Sequence, residues 1–187
     1  MNSTEIIEAL RQKLAVTSGR HLYGVLGSYA KLDAFAEKLR QAKTQDGAPF
    51  LNPINVNCGI LEALPDAIPD DPSDSNAPDD KFRRLADNEA KYPAPTAAHV
   101  GRAFERFLRS ILKGVRVVVL ANLEMLFAYN VDLSLLRTMA TDENKVLLLL
   151  PGRRTSGTII MFHEMKGSAY TLPTNLIAEN HLWEIRE

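Results

Sequence analysis

Three short stretches hold residue types able to handle an anion. In Gly24-Val25-Leu26-Gly27-Ser28-Tyr29-Ala30-Lys31, two glycines precede a serine and a lysine. A working phosphate loop uses glycines to bring backbone N–H groups onto phosphates. Its lysine reaches the terminal phosphates, and a following Ser or Thr holds Mg²⁺. Here the glycine–lysine spacing differs, and Leu32 stands where that hydroxyl belongs. Gly27, Ser28 and Lys31 could still meet an anion at a helix N-terminus. The plainer reading is a tight strand-to-helix turn with an exposed lysine.

The second stretch is Val119-Leu120-Ala121-Asn122-Leu123-Glu124. In P-loop ATPases an aspartate at such a strand end holds the metal, with a glutamate beside it to orient water. Ala121 and Asn122 occupy those places, and Glu124 follows two residues on. Asn122 and Glu124 read either as turn residues or as an atypical nucleotide site. The third stretch, Pro151-Gly152-Arg153-Arg154-Thr155-Ser156-Gly157, reads as a glycine-bounded loop. Its two arginines would clamp a phosphate or carboxylate, or rim a protein contact.

A fourth pattern is charge alone. Arg102, Arg106, Arg109 and Lys113 recur at helical spacing and could track a phosphate backbone. Glu105 beside them suits a solvated face instead. The histidines His21, His99, His163 and His181 show no i, i+4 pair and no cluster with cysteine, so no zinc site is expected. Cys58 is the single cysteine. It has no internal partner, and reads as a small filler at a strand end. No cofactor or metal follows from these patterns.

The elements that position these residues alternate between strand and helix. A first helix opens at Ser3 or Thr4, buries Ile6, Ile7, Leu10 and Leu14, and stops by Gly19. His21–Gly27 reads as a buried strand, and Ser28 caps the next helix. Phe50–Asn57 reads as a second strand, bent or at an edge because of Pro53. From Leu64 to Asp80 there are six aspartates, four prolines and no lysine or arginine. That composition predicts an acidic, Pro-rich exposed loop over 65–80. A short charged helix, 81–91, follows.

Thr96 is expected to cap a helix running to Lys113 and ended by Gly114. Val115–Leu120 reads as a central strand, doubly buried. A helix capped by Asp132 spans Leu133–Met139, and strands follow at Lys145–Leu150, Thr158–His163 and His181–Ile185. The pattern predicts one α/β domain over 1–187. Its mostly parallel sheet would have helices on both faces in three layers.

At 187 residues, with 45% hydrophobic and 24% charged residues, the composition is that of an ordinary globular protein. A net charge of −1 supplies no global attraction to nucleic acid or an anionic membrane. The longest apolar runs are too short to span a bilayer. The N-terminal stretch, interrupted by Glu5 and Glu8, reads as an amphipathic helix and not a signal peptide. A cytoplasmic location is the expectation.

Val117–Phe127, the Leu135-Leu136-Arg137 segment, and Val146–Leu150 running into Pro151-Gly152-Arg153 carry a resemblance over roughly residues 115–165, in the order that AAA-like folds share. This part of the chain resembles the small P-loop-like accessory proteins of BREX bacteriophage-defence systems, of the BrxB and BrxF type. The resemblance implies a degenerate P-loop NTPase-like, AAA-like core. It also implies a non-catalytic scaffold that binds other protein subunits of a phage-defence complex. ATP-binding members carry an intact phosphate loop, from which this chain departs between Gly27 and Leu32. The alternatives are a divergent nucleotide-binding protein or ATPase, and a DNA-binding accessory protein using Arg102–Lys113.

Overall fold

The computed structural model describes residues 1–70, 77–164 and 170–186. The chain divides into two compact units: residues 1–54, 114–122 and 133–187 form the first, and 55–113 with 123–132 the second.

The first unit is built on a mostly parallel sheet. Leu22–Gly27 (β1) and Lys145–Thr155 (β4) lie side by side in parallel register, Leu22 opposite Val146 and Gly27 opposite Pro151. Val117–Ala121 (β3) flanks β4, and Leu182–Glu184 (β7) flanks β1, both parallel. Ile54–Asn55 (β2) is a two-residue strand at the edge beside β3, giving the order β2-β3-β4-β1-β7. Thr158–Met161 (β5) returns antiparallel along the end of β4, and Tyr170–Thr171 (β6) pairs with β5. Uninterrupted apolar runs such as Val146–Leu150 suit these positions because side chains on both faces of the strand are buried.

Ser3–Ala15 (α1) and Tyr29–Gln41 (α2) lie against one face. Their residues Ile6, Leu10, Phe35 and Leu39 share a buried cluster with Tyr23, Val25, Val119, Leu147 and Leu149 of the strands. Asn2, not Ser3 or Thr4, caps α1: its side chain accepts from the Glu5 N–H while Glu5 reaches back to the Asn2 N–H. The helix ends at Ala15, before Gly19. Gly24 is a packing glycine, since a Cβ there would come within 2.7 Å of Leu182 Cδ1 and 2.8 Å of Ile177 Cδ1. Ser134–Met139 (α7) begins as expected, although Leu133 and not Asp132 occupies its cap position.

Three strand expectations are corrected. β3 is not central; β4 is, with β3 and β1 on its two sides. The run at Phe50–Asn57 contributes only β2, because Asn55 accepts from the Cys58 N–H and starts a helix, Val56–Ala67 (α3). Val56, Ile60, Leu64 and Ala67 then fall on one buried face at helical spacing. Cys58 is therefore an exposed helix residue and not a strand-end filler. Lys145–Leu150 does not end in a loop: β4 continues through Pro151-Gly152-Arg153-Arg154 to Thr155, and only Ser156-Gly157 turn the hairpin into β5. Both turn residues have positive φ, the condition for a tight hairpin.

The second unit is helical. α3 is joined by Pro78–Glu89 (α4), Pro93–Ile111 (α5) and Glu124–Ala128 (α6). The acidic loop expected over 65–80 is thus largely helix at its two ends. α3 runs past Pro65 to Ala67, and Pro78 opens α4 with Asp79 and Asp80 in its first turn, where both residue types favour a helix start. Residues 71–76 of that stretch lie outside the described residues. Pro93, not Thr96, opens α5. α3 and α5 approach so closely that a Cβ on Gly59 would sit 2.1 Å from the Phe107 ring.

Candidate functional site

At the carboxyl end of β1, the crest where open α/β sheets bind ligands, β1 ends at Gly27 and α2 begins at Tyr29. A single residue, Ser28, connects them. A phosphate loop needs several successive N–H groups curled round an anion, and one residue supplies no such loop. The first N–H groups of α2 also have partners from the chain itself. Ser28 Oγ accepts from Lys31 N at 3.3 Å, and the Glu164 carboxylate accepts from Tyr29 N at 3.3 Å. Lys31 is half-buried, and its ammonium has no partner among the described residues.

At the end of β3, Asn122 takes a left-handed conformation, φ 57°. Asparagine tolerates this better than most residues. Within the second unit, Glu124 opens α6 and accepts from Asn57 Nδ2 at 2.7 Å, while Asn57 Oδ1 accepts from Met125 N at 3.0 Å. Asn57 thereby ties the start of α6 to α3.

Arg153 and Arg154 are consecutive residues of a strand, so their side chains leave on opposite faces. They cannot close on one anion as a clamp. Arg154 Nη1 pairs with Glu179 at 2.6 Å, and its N–H donates to Glu184 at 3.3 Å. Arg153 is exposed.

The α5 basic residues serve their own unit. Arg102 donates through Nε and Nη2 to Ala67 O at 3.4 and 3.3 Å, and His99 Nδ1 lies 3.0 Å from the same carbonyl. This satisfies the free C-terminal end of α3. Lys81, 8% exposed, does the same for Pro65 O (3.0 Å) and Ile68 O (3.4 Å) while pairing with Asp70 at 2.7 Å. Arg106 lies 3.9 Å from Asp66, and Arg109 pairs with Glu105 at 2.8 Å. The Lys113 side chain has no partner among the described residues.

A polar cluster at the opposite, amino edge of the sheet had no sequence signal. His21, 2% exposed, places Nδ1 2.8 Å from the Tyr23 hydroxyl and Nε2 3.1 Å from Asp142. Tyr23 Oη is also 3.2 Å from Lys13 O. Lys145, 9% exposed, donates to the Leu14 and Val16 carbonyls at the end of α1. Burial lowers the pKa of His21, and the Lys145 charge adds to this; Asp142 opposes both. Burial likewise lowers Lys145 and His181, and pushes Tyr23 up to about 12. A neutral His21 with Nε2–H donating to Asp142 can accept the Tyr23 proton at Nδ1 only when that hydroxyl gives up its bond to Lys13 O, since a phenol donates one hydrogen bond. His21 and Asp142 are 121 residues apart, so no local spacing announces the pair.

Among the described residues no group of three or more His, Cys, Asp or Glu is placed to hold a metal ion, and no helix is long and apolar enough to cross a membrane. Compared with protein-family models, curated proteins and solved structures, the chain matches none.

Proposed function

We propose that this protein is a non-catalytic scaffold with a degenerate P-loop-like core, acting in the cytoplasm by binding other protein subunits of a bacterial phage-defence complex. The observation that carries the non-catalytic part is the one-residue connection between β1 and α2. Without a loop there is no cradle for a triphosphate, and Ser28 and Glu164 already occupy N–H groups at the start of α2.

The strand order supports the P-loop-like ancestry. In the Rossmann and flavodoxin orders β1 neighbours β2. Here β3 and β4 stand between them, and β4 separates β1 from the strand ending in Ala121-Asn122. That separation fits the AAA-like layout which the resemblance implies, with a degenerate phosphate-loop position after β1 and Ala121 and Asn122 at the end of β3. The defence setting rests on the resemblance over residues 115–165.

Calorimetry with ATP, with and without magnesium, tests the non-catalytic reading. The expected result is no magnesium-dependent heat that Lys31→Ala removes. Such heat would replace the scaffold with a divergent nucleotide-binding enzyme. Co-purification with the proteins encoded beside it tests the partner: capture of defence subunits is expected, and a monomer that retains none of them would count against the scaffold role.

A further inference from the structure

At the amino edge of the sheet, two cavities of about 450 and 390 Å³ both have Arg20 and Arg137 in their walls. The first opens between the Gly19-Arg20 turn, α7 and the Thr141-Asp142 turn that precedes β4. The second opens between Arg20, Arg137 and the segment from Thr174 to His181 that leads into β7. Because β1, β4 and β7 are parallel, all three approaches lie at one edge of the first unit.

The charges of the walls do not cancel. Each cavity has one carboxylate in its lining, Asp142 in the first and Glu179 in the second. Glu179 pairs with Arg154 at 2.6 Å, and Asp142, whose partner His21 at 3.1 Å is a neutral imidazole, leaves one negative charge against two arginines in the first cavity. The side chains of Arg20 and Arg137 make no hydrogen bond or ion pair among the described residues. Two arginines with unused guanidinium donors therefore line both cavities, together with Thr138 and Thr141 in the first and Asn175 in the second. Buried Leu176 and Ile177 supply apolar wall to the second cavity.

We propose that the Arg20–Arg137 cleft binds a small molecule bearing a phosphate or carboxylate group. The planar guanidinium fork matches the paired oxygens of either anion. Cavities of this size hold a metabolite-sized body, with a few polar groups fixing its orientation. The site is separate from the phosphate-loop position, which lies at the other edge of the sheet, and it does not depend on the scaffold reading.

The test is thermal unfolding at constant ionic strength with inorganic phosphate, citrate or adenosine monophosphate added in turn. The expected result is a rise in Tm with at least one of them, and the ranking of phosphate against citrate identifies the oxyanion. Arg20→Ala and Arg137→Ala should each weaken that apparent affinity about tenfold or more, the scale of a lost charge-assisted hydrogen bond. Lys31→Ala should leave it unchanged, which separates this site from the phosphate-loop position. Arg137→Lys keeps the charge but loses the fork, and should weaken binding in a chain whose far-ultraviolet circular dichroism is unchanged. No rise with any of the three ligands, or equal rises in the wild type and both alanine variants, would overturn the proposal.

Discussion

His21 shows how a single residue ties acid sensitivity to the fold. Its imidazole is buried between Tyr23 and Asp142 with Lys145 nearby, and burial with the Lys145 charge holds its pKa below the ordinary 6.5. In the unfolded chain the residue takes up a proton at its ordinary value. As pH falls through 6.5 the unfolded state is protonated first, and the equilibrium shifts toward it. The contribution is complete above the unfolded pKa and is lost as pH falls toward the depressed native one. His181, lowered mainly by burial, acts in the same direction. Urea midpoints measured across the mildly acidic range should fall with pH in the wild type and fall less steeply in His21→Gln. A variant as acid-sensitive as the wild type would mean that other groups set the slope. None of this was legible in the sequence, where His21 was one of four unclustered histidines. Ser28 was legible as a helix cap, because a cap is a local pattern. Asp142 was not, because only the sheet brings it to His21.

Among elements, local periodicity served the sheet and its covering helices well and failed where a helix followed a short extended run. α2 and β4 contain all the residues expected of them, β1 starts one residue late at Leu22 and β5 stops two residues early at Met161; β1 and β4 were legible because doubly buried strands read as continuous apolar runs. α3 was missed because Pro53 and Pro65 bracket it, and proline is the usual sign of an edge strand or a break. Pro65 sits in the last turn of α3, where the helix ends two residues later. What defines α3 is its contact with α5, in which Gly59 admits the Phe107 ring. Gly59→Ala adds a methyl group where no space exists, so about 1–3 kcal/mol of stability should be lost through overpacking. Phe107→Leu should cost stability alone and recover part of it when combined with Gly59→Ala. Additive losses in that double-mutant cycle would mean that the two residues do not compete for the same volume. At the start of α1, Asn2→Ala removes the side-chain half of a capping box, leaving the Glu5 carboxylate on the backbone N–H of residue 2, and should cost about 0.5–2 kcal/mol. Chemical denaturation measures that loss, and an unchanged midpoint would show the cap to be dispensable.

For the whole molecule, charge bears on whether nucleic acid can be a partner. A face that tracks a phosphate backbone must present cations free to replace the counterions of the nucleic acid. The net charge is −1, so attraction would have to come from a local patch. The best patch in the sequence, Arg102–Lys113, is engaged within its own unit. Arg102 is on Ala67 O, Arg109 is on Glu105, Arg106 is near Asp66, and only Lys113 has a side chain without a partner among the described residues. Periodicity made that stripe legible, but the carbonyl and carboxylates that compensate it come partly from α3, which the sequence did not announce. A fluorescent DNA duplex should therefore show no saturable binding at physiological salt. Any retention at low salt should weaken with a log–log slope of about −0.9, the value for one neutralised phosphate. Lys113→Glu should abolish that residue of affinity. A slope several times steeper would require the α5 arginines to leave Ala67, Asp66 and Glu105 for the duplex. In that case loosening of the α3 C-terminus, seen as faster amide exchange there on adding DNA, would have to accompany binding.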